Sequence, residues 1–324
     1  MGILSVKDVS AGYYTDKGTV HVLKNLNADF PENSFIGITG ESGSGKSTLG
    51  YVLYNFIISP MALFSGEVLF EGTDLMSMDD EDLRRIRGKD YSFVPQAAMN
   101  SLNPVKNIGY QFRMVLDAHS VPEESYQDII SEVLALVRLD DRVLTMFPHE
   151  LSGGMRQRVV IAMAVMLKPR LIILDEPTTG LDVIVQHELL RDLKELQKKL
   201  GLTVIMITHD VAAIFQISDI VYVMYAGYFV EYGKYNLMLK QSRHPYTYLL
   251  LRSVPSLSSG EDLVTIPGSP PDLLSEFAGC PFYDRCPFRI TQCTYSVPEM
   301  TETEDGGFRC IRNIENGELL NDSK

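Results

Sequence analysis

Polar and apolar positions change period along the chain, and each change marks an element. The opening stretch ILSVKDVSAGYY (3–14) alternates with a period of about two, as does TVHVLKNLNADF (19–30), and SGEVLFEG (65–72) is a shorter run between glycines. These runs predict an antiparallel sheet around the strand FIGIT, Phe35–Thr39, whose residues are largely apolar or β-branched. From Met99 to about Arg142 the period lengthens, and SYQDIISEVLALVRL places apolar residues three and four apart, as a helix requires. Two short apolar runs follow, LIIL (171–174) and TVIMIT (203–208), the texture of parallel strands covered on both faces. The charged, helical VQHELLRDLKELQKKLG between them completes a βαβ unit. After Gly233 regularity fades, and PSLSSGEDLVTIPGSPPD (255–272) reads as a Pro/Gly/Ser-rich linker. The pattern divides the chain near residue 235: a domain over 1–235 with a helical part at about 99–168, and an extension over 236–324. No repeat of 20 to 50 residues interrupts this order.

The predicted strand FIGIT runs directly into Gly40-Glu41-Ser42-Gly43-Ser44-Gly45-Lys46-Ser47-Thr48. Glycines at the first, fourth and sixth places let successive backbone N–H groups turn inward at a helix N-terminus, which makes a concave anion nest. Lys46 supplies a point charge for the β and γ phosphates of a nucleotide, and the Ser47 hydroxyl a ligand for the magnesium ion that bridges them. The spacing is the complete P-loop pattern.

Further chemistry gathers where strands end. LIILDEPTTGLD closes an apolar run with Asp175, placed to hold magnesium through water, and Glu176, placed to orient or deprotonate an attacking water. His209 follows TVIMIT on the same predicted edge and could donate to a γ-phosphate oxygen, or pair with Asp210 as a plain helix cap. In LSGGMRQR, Ser152 is a good N-cap, and Gly153 and Gly154 bare the first-turn amides of a helix that Pro169 stops. Paired glycines are costly there unless something approaches the backbone closely, so a second anion-binding helix start is expected.

Composition narrows the class. The 42 acidic against 29 basic residues leave a formal charge of minus 13, which opposes non-specific binding to nucleic acid. The longest apolar run, VVIAMAVML, has nine residues against the ~20 of a membrane-spanning helix, so the chain reads as soluble. MGILSVKDVS shows no signal-peptide pattern, and the chain is expected in the cytoplasm. All four cysteines, Cys280, Cys286, Cys293 and Cys310, fall in the last 45 residues, and clustered thiols in a reducing compartment are more often metal ligands than disulfides. The spacings C-x5-C, C-x6-C and C-x16-C lack the tight pair usual in zinc ribbons. Four thiolates can hold a [4Fe-4S] cluster, with zinc and unliganded thiols left open beside it. No phosphate-loop, signature or catalytic motif lies beyond His209, so the tail is expected to be separable from ATP binding.

The order GESGSGKST, Gln96 in VPQ, LSGGMRQR, LIILDEP, TGLD and ITHD resembles the ATP-binding cassette (ABC) ATPases over residues 1 to about 235. The resemblance implies an α/β P-loop NTPase ABC fold with an antiparallel β subdomain, a helical subdomain and an irregular cysteine-containing C-terminal extension. It implies ATP and Mg2+ as cofactors, with Ser47, Gln96 and Asp175 on the magnesium. Tyr13 (or Tyr14) would stack on adenine, Gln96 would link the γ-phosphate site to a membrane partner, and Asp182 would contact a facing subunit. Ser152, Gly153 and Gly154 would complete the ATP site of that subunit in a head-to-tail dimer. Met155 departs from the commoner Gln at its position.

PQAAMNSLNPV, RHPYTYLLLRSVP and IPGSPPDLLSEFAGCPFYDRCPFRITQC narrow the resemblance to the oligopeptide and dipeptide importer branch. Read alone, His244-Pro245-Tyr246 is a turn with a stacked aromatic. The branch implies a non-identical paralogue as second ATPase, two membrane permeases, an extracytoplasmic solute-binding protein and no nucleic acid, with the chain peripheral on the cytoplasmic face of the membrane. Related carriers take nickel or β-linked oligosaccharides, which stand as alternatives. A nucleic-acid-associated or translation ABC ATPase is disfavoured by the acidic charge and single cassette, and a scaffold without turnover by the intact Lys46, Glu176 and His209.

Overall fold

The computed structural model describes residues 2–16, 18–255, 264–273, 277–312 and 314–319. Residues 256–263 of the predicted linker and 274–276 of the stretch leading to the cysteines lie outside the described residues. The chain forms two compact units, one of Met1–Phe30, Ile36–Met76 and Ile207–Lys324, the other of Pro31–Phe35 and Ser77–Met206.

In the first unit, Gly18–Phe30, Leu4–Thr15, Met61–Phe70 and Thr73–Asp74 form an antiparallel sheet in that order. Leu4 stands opposite both Phe30 and Phe70, and Leu4, Val6, Val9 and Ala11 are buried. The register slips between Val6 and Val9, where Asp8 takes a left-handed φ of 49°, which explains why strict alternation fails there.

This sheet is separate from the strand Phe35–Thr39, contrary to the expectation that it surrounds it. From Ile36 onward that strand pairs in parallel with Ile220–Tyr225, which pairs antiparallel with Tyr228–Lys234. The reason is visible in burial: all five residues of Phe35–Thr39 are buried, as a strand covered on both faces demands, whereas Leu4–Thr15 exposes Lys7 and Asp8.

The extension continues the same sheet. Gly306–Phe308 pairs with Glu231, Tyr232 and Gly233, and Thr301–Thr303 adds outside it. A β-carbon on Gly306 would stand 2.0 Å from the Tyr232 carbonyl oxygen, so this approach requires glycine. Two helices precede these strands, Tyr235–Gln241 and Pro245–Arg252. The expected His-Pro-Tyr turn is therefore a helix start: Pro245 occupies the first position, and His244 caps it by accepting from the Tyr246 N–H at 3.1 Å. Burial drives the His244 imidazole down to about 3, which leaves it neutral and able to accept.

In the second unit, Thr203–Ile207, Leu171–Asp175 and Tyr91–Val94 are neighbouring strands, the last two parallel with Val94 opposite Leu174. Ile172, Ile173 and Leu174 are fully buried, each contributing about 1.5–3 kcal/mol of transfer free energy. The helix Gly153–Val165 packs on Tyr91–Val94 and on Val183–Leu200, and Ile108–Ala118 and Tyr126–Leu136 pack on it and on each other. Near Met99 the helical texture is a short 3-10 turn, Ala98–Ser101, and the α-helix begins at Ile108; the intervening loop is tied by Gln111, which accepts from the Asn103 N–H and donates to the Asn103 and Lys106 carbonyls. Val183–Leu200 turns Leu189, Leu190, Leu193 and Leu196 inward, is capped by Asp182, and ends with Lys198, Lys199 and a left-handed Gly201.

Candidate nucleotide site

The loop Gly40–Gly45 joins Phe35–Thr39 to the helix Lys46–Leu53, and Gly40, Gly43 and Gly45 take φ values of 150°, 80° and 101°. At Gly40 a β-carbon would also stand 2.1 Å from the Met224 carbonyl oxygen, which excludes any side chain. Gly45 starts the helix in a left-handed conformation with no side-chain cap, at the end of the helix where its dipole favours an anion. The buried Lys46 folds back, its Nζ donating to the Gly40 and Glu41 carbonyls at 2.8 and 2.9 Å. Ser42 and Gly43 are exposed at the rim.

Two other predicted residues join this loop. The Tyr13 hydroxyl lies 3.1 Å from the Thr48 hydroxyl, on the helix that the loop starts, while Tyr14 is exposed and packs edge-on against Phe64. The Thr208 N–H donates to the Ile38 carbonyl, so His209 leaves the sheet beside the strand that ends at the loop. His209 is exposed, and Asp210 caps the helix Val211–Ile217 through the Ala213 N–H.

The second unit carries the rest. Because Val94 and Leu174 are in register, Gln96 and the pair Asp175 and Glu176 emerge from one edge of their sheet. Asp175 is fully buried; Gln96 is exposed. Glu176 is 8% exposed and takes a left-handed φ of 51°, a conformation that a non-glycine residue holds only where its surroundings enforce it. The Thr179 hydroxyl fixes one of its carboxylate oxygens at 3.0 Å. Ser152 caps Gly153–Val165 by accepting from the Met155 N–H at 3.2 Å. A β-carbon on Gly154 would stand 2.6 Å from Cγ1 of Val185, and one on Gly153 3.5 Å from Leu181, so this helix start lies against the segment that begins with Asp182. Packing within the chain therefore supplies one reason for Gly154 that the sequence does not reveal.

The sequence also gives no sign of what holds Glu41. Its N–H donates to the Tyr246 hydroxyl at 2.8 Å, and Arg285 grips its carboxylate with two parallel bonds of 2.6 and 2.9 Å. The tail expected to stand apart from the nucleotide loop thus places two side chains on it. The only available signal was an arginine inside the cysteine segment, and it names no partner.

Cys280, Cys286 and Cys293 each act electrostatically on Cys310. Burial first, and the neighbouring thiols with it, push Cys286 up to about 11 and Cys310 up to about 12. Backbone N–H groups oppose this shift: those of Phe282 and Tyr283 at Cys280, Phe288 at Cys286, and Arg312, 3.4 Å from the Cys310 Sγ. Among the described residues, no three His, Cys, Asp or Glu side chains stand in an arrangement that could hold a metal ion.

Residues 23–179 match the ABC transporter family, and residues 230–293 match the oligopeptide/dipeptide transporter C-terminal region. The chain is 41% identical over 302 residues to the dipeptide transport ATP-binding protein DppD of Caldanaerobacter subterraneus subsp. tengcongensis, covering 92% of each. The chain belongs to the ABC transporter ATPases of the oligopeptide/dipeptide branch. It is also 39% identical over 324 residues to the oligopeptide transport ATP-binding protein OppD of Escherichia coli K12, covering 98% of this chain and 95% of that one. Among solved structures it is similar to the post-hydrolysis dimer of the cassette MJ0796 bound to ADP and Pi, with a TM-score of 0.64 and 28% identity over 72% of this chain and 98% of that one. The fold is that of an ABC ATPase, and membership implies ATP and Mg2+ binding and ATP hydrolysis.

Proposed function

We propose that this chain hydrolyses ATP to drive import of oligopeptides or dipeptides through two membrane permeases, supplied by an extracytoplasmic solute-binding protein. The observation that carries this reading is a complete phosphate loop, with Lys46 folded over Gly40 and Glu41, in a chain that also matches the peptide-transporter C-terminal region.

In this reading Gly40–Thr48 cradle the phosphates, and Lys46 exchanges its two carbonyl partners for phosphate oxygens. Tyr13 stacks on adenine. Ser47, Asp175 and Gln96 would hold a magnesium ion, which would supply positive charge beside the phosphates. Glu176, fixed by Thr179 and its constrained backbone, orients the attacking water and takes its proton, while His209 donates to the γ-phosphate.

Ser152, Gly153, Gly154 and Asp182 complete the site of a second, non-identical ATPase. Val183 and Ile184, 71% and 73% exposed just after Asp182, are the large apolar side chains such a partner would cover. Val105, Tyr110 and Met114 are exposed apolar side chains after Gln96, suited to a permease. Among the described residues no helix is long and apolar enough to cross a membrane, and the chain acts peripherally at the cytoplasmic face. The division near residue 235 is supported by the end of the strand Tyr228–Lys234, and the helical subdomain at about 99–168 by the helices Ile108–Ala118, Tyr126–Leu136 and Gly153–Val165. Cys280, Cys286, Cys293 and Cys310 would hold a [4Fe-4S] cluster, which supplies a cross-link within the extension.

The test is reconstitution of the full complex, purified anaerobically, into vesicles. ATP-dependent uptake of a labelled dipeptide is expected, with iron and sulfide in the protein. Uptake of nickel or a β-linked oligosaccharide instead would overturn the substrate, and stoichiometric zinc without iron would overturn the cluster.

A further inference from the structure

We propose that Arg285 and Tyr246, both from the C-terminal extension, are positioning residues for the phosphate loop and act through Glu41. The inference rests on the reading that this loop binds ATP. It adds to that reading a requirement for the tail.

Glu41 is held at each of its polar groups. Its N–H donates to the Tyr246 hydroxyl at 2.8 Å, its carbonyl accepts from Lys46 Nζ at 2.9 Å, and its carboxylate oxygens accept from Arg285 Nη1 and Nη2 at 2.6 and 2.9 Å. Arg285 is in turn engaged at all three nitrogens: Nη1 also donates to the Tyr225 hydroxyl at 3.1 Å, and Nε to the Pro267 carbonyl at 2.7 Å. The guanidinium side chain is 6% exposed and the Glu41 side chain 23%. A two-pronged pair so shielded fixes direction as well as distance.

Lys46 shows why this matters for a nucleotide. The lysine rests on the carbonyls of Gly40 and Glu41, so the peptides that Arg285 and Tyr246 orient are those that place its ammonium group. Gly40 and Gly43 flank this stretch at φ 150° and 80°, in backbone that glycine explores freely. Local sequence therefore does little to choose one loop conformation, and the choice comes from outside the loop. A loop ordered beforehand binds its ligand without losing that freedom at the moment of binding.

The anchor is rigid. Tyr246 is fully buried, with its ring centroid 4.6 Å from that of Tyr225 and 5.5 Å from that of Phe282. Phe282 and Arg285 both lie between Cys280 and Cys286 in sequence, so the thiol segment and the nucleotide loop share one packed block.

The experiment measures ATP dissociation constants, ATPase kinetics and thermal midpoints on the full chain and on Tyr246→Phe, Arg285→Gln, Glu41→Gln and the Glu41→Gln/Arg285→Gln double variant. Arg285→Gln is expected to raise both Kd and KM for ATP about tenfold, with kcat at saturating ATP near the wild-type value. The double variant should bind ATP no worse than Arg285→Gln alone, as partners acting as a unit require. Tyr246→Phe keeps the buried ring and removes only the acceptor of the Glu41 N–H, so it decides the question if Arg285→Gln does not fold; about a threefold rise in Kd is expected. Lowered thermal midpoints with an unchanged Kd would reduce the contacts to structural ones and overturn the inference. A wild-type chain that fails to bind ATP would instead remove the nucleotide reading beneath it.

Discussion

The helix Lys46–Leu53 starts at a left-handed Gly45 with no side-chain cap, and the loop before it is held by Lys46 from within and by Tyr246 and Arg285 from the tail. The helix Gly153–Val165 also starts in glycines, but Ser152 caps it and is itself exposed. The first start is concave and enclosed by its own chain, so its donors converge and can bind a phosphate alone. The second is capped by an exposed Ser152, and in the proposed reading it adds donors to a phosphate that another surface presents. Both amide sets follow from the same orphan N–H groups of a helix start; the surroundings decide whether a start is a site or half of one.

That contrast breaks most readily at Lys46. Lys46→Ala should weaken ATP binding by the isolated chain at least about 10²-fold, because the nest loses its only long cation, and titration with a fluorescent ATP analogue reads this directly. Near-normal affinity would mean that the amides alone suffice. Glu176→Gln separates binding from chemistry: ATP affinity should hold while turnover falls at least about 10²-fold, as for a missing general base, and phosphate release at saturating ATP is the readout. The smallest effect belongs to the open start. Ser152→Ala should leave the isolated chain's ATP affinity unchanged, lower turnover of the assembled complex about tenfold, and reduce stability by about 1 kcal/mol through the lost cap. A weakened affinity in the isolated chain would erase the distinction between the two starts.

The enclosed start was legible in sequence because its requirements are local. Only glycine takes φ values of 80° and 101° without strain, so Gly43 and Gly45 announce themselves, and Asp175 was visible as the first charge after a run of buried residues. The contacts that hold the loop were not. Arg285 and Glu41 are 244 positions apart, and a single arginine carries no period that could identify its partner. The tail strands failed for another reason: Gly306–Phe308 and Thr301–Thr303 have three residues each, too few for an alternation to show. Gly154 shows a different limit. The sequence read it as bared backbone for a ligand, and part of its reason is the space that Val185 occupies.

Those short tail strands have a consequence for the life of the polypeptide on the ribosome. Tyr228–Lys234 offers its outer hydrogen-bonding groups to Gly306–Phe308, which are made 72 or more residues later. Until then the strand is a bare edge, the kind of surface that recruits strands from other nascent chains. A message truncated before codon 301 would leave that edge bare permanently, and its product would be a substrate for chaperones and proteases even with every nucleotide-binding motif intact.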